Sequence, residues 1–164
     1  MTKVLAGHVA PAFTLHSTRG ETFSLADALK KGPVVAAFFK VSCPVCQLTF
    51  PFLERLHKAH SGDAATFIGV SQDDMQDTKE FFAEYGVTFS GVMDSDGYPV
   101  SNLYGLTNVP TIFLISPDGK VKVSGIGFAK ADFEKIAKEL GDYFQKKPMT
   151  VFLPSEVIPE YKPG

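Results

Sequence analysis

The chain has 164 residues, 45% of them apolar and 21% charged. That is one domain's length, enough to bury roughly 68–70% of the unfolded surface, and an ordinary soluble composition. Sixteen basic against eighteen acidic side chains give a net charge of −2, which excludes a chain-wide nucleic-acid footprint. The longest apolar run, Val34–Phe39, is far below the roughly 20 residues of a transmembrane helix. Met1–His8 carries one positive charge and no apolar h-region. The expected location is therefore cytoplasmic, or periplasmic for a chain trimmed of a leader.

In chain order, Phe13–Leu15 and Thr22–Ser24 flank a turn and predict a short hairpin. Ser24 caps a predicted helix over Leu25–Lys31 that Gly32-Pro33 ends. The unbroken apolar run Val34–Phe39 predicts a strand buried on both faces. Over Pro44–Ala59, apolar residues at 45, 48, 52, 56 and 59 follow a helical period, with Pro51 expected to kink the helix. Thr66–Ser71 is the next strand; Asp77 is expected to cap a helix ending at Tyr85-Gly86. Ser90–Met93 reads as a short strand, followed by a turn at 94–97 and a helix over Pro99–Tyr104. Thr111–Ile115 and Val121–Ser124 form a hairpin around Ser116-Pro117-Asp118-Gly119. Ala131–Phe144 is the last helix. The expected fold is α/β, a mixed sheet with helices on both faces and an N-terminal hairpin. Residues 1–147 form one domain; 148–164, with four prolines, form a tail expected to cross the surface in extended form.

The chemistry centres on Cys43-Pro44-Val45-Cys46. Cys43 stands where a buried strand gives way to a helix, whose N-terminus offers unpaired N–H groups and about half a positive charge. Both stabilise a thiolate, which makes Cys43 the expected nucleophile. Cys46 lies one turn further on the same face and can close a disulfide onto it. Pro44 suits the first helical turn. Zinc is the competing use of the pair, with His57 and His60 downstream. Cys46 and His57 would be about 16 Å apart along one helix, too far for a single ion. No metal site is expected, and both histidines are read as surface residues near the helix end. Asp94-Ser95-Asp96-Gly97 is read as a plain turn, because Gly105 stands where a calcium loop needs Glu. Asp73, Asp74, Asp77, Glu80 and Glu84 are read as a solvated face.

These motifs resemble the thioredoxin superfamily, in its TlpA/ResA-like and AhpC/TSA-like redoxin branch. Gly7-His8-Val9-Ala10-Pro11-Ala12-Phe13-Thr14-Leu15 is similar to that branch's opening G-x-x-A-P-x-F-x-L, and Phe38–Cys46 to its strand and CxxC site. Pro51 matches the helix proline, and Val109-Pro110-Thr111 resembles the cis-proline loop. The resemblance covers roughly residues 5–144 and implies a thioredoxin-like fold and disulfide exchange. Cys43 would attack a partner's disulfide and Cys46 would release the reduced partner. The Val109 backbone would pair with the partner chain, and Pro110 would shape that groove and keep metal from the thiols. Ser42, Pro44 and Val45 would shape the site. Lys40 either tunes the thiolate by charge or is a snorkelling surface lysine; Ser42 and Gln72 are placed near the site from adjacent strand ends. Three departures stand out: Ser42 where thioredoxins carry Trp, Ala37 where they bury Asp, and Thr49 where ResA-like proteins carry Glu.

The implied partners are a disulfide-containing protein and an upstream thiol reductant, with no cofactor, nucleic acid or membrane, and the chain is expected to be a monomer. Two alternatives stand beside this reading. A peroxiredoxin-like thiol peroxidase would use Cys43 within P-x3-T/S-x2-C, but the Pro and Thr/Ser slots hold Ala36 and Lys40. A non-catalytic binding module would use the groove at Pro110 without turnover.

Overall fold

The computed structural model describes residues 4–164; the first three residues of the leader reading lie outside them. A two-stranded hairpin, β1 (Thr14–His16) with β2 (Thr22–Ser24), leads into α1 (Leu25–Lys31). Ser24 caps α1 through its hydroxyl, which accepts from the Asp27 N–H. The five-stranded sheet comprises β3 (Val34–Phe39), β4 (Thr66–Ser71), β5 (Ser90–Met93), β6 (Thr111–Ile115) and β7 (Val121–Ile126). Their order is β5-β4-β3-β6-β7, with β3, β4 and β5 parallel and β6 and β7 antiparallel to their neighbours. Between these strands run α2 (Pro44–Ala59), α3 (Met75–Tyr85) and α4 (Pro99–Leu103), and α5 (Lys130–Phe144) follows.

The central strand shows why the run 34–39 is apolar throughout. Its alternate residues enter two different cores: Val35, Ala37 and Phe39 face α2, α3 and α5, while Val34, Ala36 and Phe38 face α1 and α4. The first core is dense in rings, with Phe39 within 6 Å of Phe50, Phe81 and Phe82. Gly69 makes this possible, because a Cβ there would stand 3.0 Å from both Phe39 and Phe82. The second core closes around Tyr104, whose hydroxyl donates to the Pro11 carbonyl at 2.7 Å and so ties down the N-terminal segment.

Several expectations require correction. Helix α3 begins at Met75 with Asp74, not Asp77, as its cap; Asp77 supplies the N–H that the Asp74 carboxylate accepts at 2.8 Å. Two candidate capping residues stand three positions apart, and the use of the earlier one adds most of a turn. His60 is 4% exposed, and its Nδ1 lies 2.8 Å from the Asp63 carboxylate, beside the Phe144 ring. His57 stacks edge-on against Phe67 and Phe89. His60 is buried and His57 half-buried rather than exposed, because Phe144 of α5 packs on the one and Phe67 of β4 on the other. Strand β7 extends two residues past Ser124. Asp94 is a buried cap: its carboxylate accepts from the Val100 and Ser101 N–H groups and the Ser101 hydroxyl.

The C-terminal segment departs most from expectation. Val151 is 3% exposed, and the Phe152 ring lies 5.0–6.0 Å from those of Phe52, Phe128 and Phe133. Arg55 grips Glu156 with two guanidinium nitrogens, at 2.7 and 2.5 Å, and also donates to the Val151 carbonyl. A last strand, β9 (Tyr161–Lys162), pairs antiparallel with β8 (Phe128–Ala129). The segment is mostly exposed but anchored by the buried Val151, the half-buried Phe152 and the Arg55 clamp.

Candidate active site

The site forms where β3 ends. Beyond Phe39 the chain turns outward through the exposed Lys40, and Val41 is held on both sides. Its N–H donates to the Asp73 carboxylate at 2.8 Å, and its carbonyl accepts from the Gln47 side-chain amide at 3.0 Å. The fixed loop delivers Cys43 to the N-cap of α2, with Pro44 at the first helical position, where its missing N–H costs nothing. The Cys43 sulfur accepts the Cys46 N–H at 3.2 Å, so the nucleophile itself is the helix cap. Helix α2 runs through Pro51 without interruption.

The two thiols differ sharply. Cys43 is partly exposed, and its S–H points at the Val109 carbonyl, 3.6 Å away. Cys46 is fully buried; burial, then the hydrogen bond with Cys43, push its thiol well above the ordinary value. Val109-Pro110 is a cis peptide, and Pro110 is buried beneath Val109. A cleft of about 150 Å³ beside this loop is lined by Lys40, Gln72, Leu106, Thr107, Asn108 and Val109.

The structure therefore brings together Cys43, Cys46, Pro44, Val45, Val109 and Pro110, with Ser42 exposed beside them. Lys40 and Gln72 line the adjoining cleft, and the Gln72 amide reaches Ser101. Ala37 and Thr49 are buried, and the Thr49 hydroxyl donates to the Val45 carbonyl, so neither position offers Cys46 a carboxylate. Ala36 is likewise buried within β3.

Sequence reasoning missed Asp73, grouped above with a solvated acidic face. It is half-buried, accepts from Val41, and contributes to raising the Cys46 thiol. Its place directly after β4, level with the end of β3, was the available signal.

Strand order, helix placement, the capped cysteine and the loop at Pro110 together define a thioredoxin-like redox protein. The AhpC/TSA family pattern matches residues 6–124, and the chain belongs to that family. It is similar to the thiol-disulfide oxidoreductase ResA of Geobacillus thermodenitrificans, 34% identical over 74% of this chain and 69% of the relative. It is 33% identical to the Bacillus subtilis ResA over 70% of this chain, a match spanning 64% of that protein, just under two thirds of its length. The thioredoxin domain of a thiol-disulfide oxidoreductase from Bacteroides vulgatus superposes with a TM-score of 0.74 at 26% identity, covering 84% of this chain and 99% of that one. Within its family the chain is a thiol–disulfide oxidoreductase domain.

Proposed function

We propose that the protein reduces disulfides in partner proteins, with Cys43 as the nucleophile and Cys46 as the resolving thiol. The observation that carries this reading is the asymmetry of the pair: one accessible sulfur caps a helix, and one sealed sulfur lies directly behind it. The Cys43 thiolate attacks one sulfur of the partner's disulfide. A bond forms between them, the partner's S–S bond breaks, and its departing sulfur takes up a proton. Cys46 then gives up its proton and attacks the Cys43 sulfur, which frees the partner's second thiol. The partner gains two electrons and two protons, and Cys43–Cys46 is left as a disulfide for an upstream dithiol to reduce. Val109 is the backbone along which the partner chain pairs; Pro110, Ser42, Pro44 and Val45 shape the surface it meets. Lys40 adds positive charge at the rim.

The test is a trapping experiment with a disulfide-bonded polypeptide. Wild type should turn over, Cys46→Ser should accumulate the mixed disulfide, and Cys43→Ser should do neither. Retained partner binding and biological effect in Cys43→Ser would favour a binding module, and rapid sulfenic acid formation at Cys43 with peroxide a peroxidase. Equilibration in graded thiol buffers adds the direction of flow: a potential near about −270 mV marks a reductant and one near about −120 mV an oxidant. A cytoplasmic location belongs to the same proposal and is tested by cell fractionation.

A further inference from the structure

The segment Tyr161–Gly164 ends on the loop that the exchange reaction needs. Strand β9 pairs Lys162 with Phe128 and Tyr161 with Ala129, which carries the chain along the edge beyond β7 toward residue 109. Gly164 then lies so close to Val109 that a Cβ on it would collide with the Val109 carbonyl oxygen and stand 2.8 Å from the carbonyl carbon and 3.3 Å from the Pro110 nitrogen. That carbonyl is also the one Cys43 addresses with its S–H. The Asn108 side chain reaches the Gly164 carbonyl at 3.5 Å from the same loop.

Gly127 joins the two elements. Its φ of +75° lets its N–H donate to the Pro110 carbonyl at 2.7 Å, while its bare α-carbon admits Lys162, whose carbonyl a Cβ would strike.

The strap is held unequally along its length. Upstream, Val151 and Phe152 are packed in the ring cluster, and Arg55 clamps Glu156. The last four residues are all exposed and rest on a two-residue ladder. A segment held this lightly opens locally without unfolding the rest.

We propose that Tyr161–Gly164 is a built-in occupant of the partner-docking edge at Val109, which screens partners for exchange at Cys43. A polypeptide pairing its backbone along Val109 must first displace the strap, whereas a small disulfide reaches the Cys43 sulfur without using that edge. The closed strap lowers apparent affinity for polypeptides by the fraction of time the edge is free. For a segment held by one or two net hydrogen bonds, that fraction is on the order of one in ten. The inference rests on the exchange reaction proposed above.

The experiment removes residues 161–164, leaving Glu160, the Glu156 clamp and Phe152 in place. Two probes are compared: a disulfide-bonded peptide with extended flanks on both sides of the bond, and hydroxyethyl disulfide. The expected result is a rise of about tenfold in kcat/KM for the peptide, with the hydroxyethyl disulfide rate and the reduction potential unchanged. Gly164→Val, which forces the end away from Val109 with the chain intact, should raise the peptide rate in the same direction by a smaller factor. An unchanged or slower peptide rate in both variants overturns the proposal, as does an equal rise for both probes, which would mean general exposure of Cys43. If the full chain and both variants exchange with neither probe, the exchange reading itself falls and the strap proposal with it.

Discussion

Asp73 is the residue whose removal tests most directly how the loop before Cys43 is held. Its carboxylate accepts the Val41 N–H at 2.8 Å, two residues before the nucleophile. A hydrogen bond to a charged acceptor contributes about 1.5–3 kcal/mol, and the half-exposed position of Asp73 reduces that to about 1–2 kcal/mol. For a chain of this length that corresponds to a fall of about 3–6 °C in the melting temperature of Asp73→Ala. Asp73→Asn keeps an acceptor oxygen but no charge, and should retain more than half of the difference. In both variants the loss of a nearby negative charge should let Cys46 be alkylated at somewhat lower pH once Cys43 is blocked; burial remains the larger cause of its protection. The assay is calorimetry of the reduced protein with alkylation of Cys46 followed by mass. Melting of Asp73→Ala within about 1 °C of wild type, with an unchanged Cys46 profile, would refute the anchoring argument.

Further predictions follow from the same geometry. At neutral pH iodoacetamide should modify Cys43 alone in the native protein and both cysteines only after unfolding, as read by mass; labelling of native Cys46 at a similar rate would contradict its burial. Phe152→Ala should destabilise by about 2–3 kcal/mol, somewhat less than a fully buried Phe, because the ring sits among three others but is partly exposed; urea unfolding measures it. Arg55 holds the Glu156 carboxyl at about 2, against an ordinary 4.5. The clamp therefore contributes stability that is present above pH 4.5 and lost as pH falls toward 2, and hydrogen exchange in residues 150–164 should rise across that window first. In Glu156→Gln that pH dependence should disappear.

Much of this architecture is legible because it is local. A six-residue apolar run bounded by Pro33 and Lys40, short and rich in Val and Phe, reads as a doubly buried strand. Apolar spacing from Val45 to Ala59 with a proline at the start specifies α2 within a residue. Cys43 and Cys46 are three apart on that helix, so their common face follows from helical geometry alone. The loop at Pro110 is visible as a proline entering a strand.

What the sequence does not carry is which distant surfaces meet. Asp73 lies in a run of acids, set apart from Asp74 and Asp77 only by its place just past the end of β4, and it is the parallel pairing of β3 with β4 that brings it to Val41. His60 has the flanks of a surface residue, yet α5 folds over it. The segment 148–164 has no period because its order comes from Arg55, Phe52 and β8 rather than from its own residues, and its proline content reads only as an extended tail across the surface. Spacing along one helix or strand is encoded by neighbours in the chain, so the cysteine pair and its class of chemistry follow from the sequence. The depth of Cys46, the anchoring of Val41 by Asp73 and the arrival of Gly164 at Val109 depend on contacts between residues distant in the chain, and tertiary packing alone decides them.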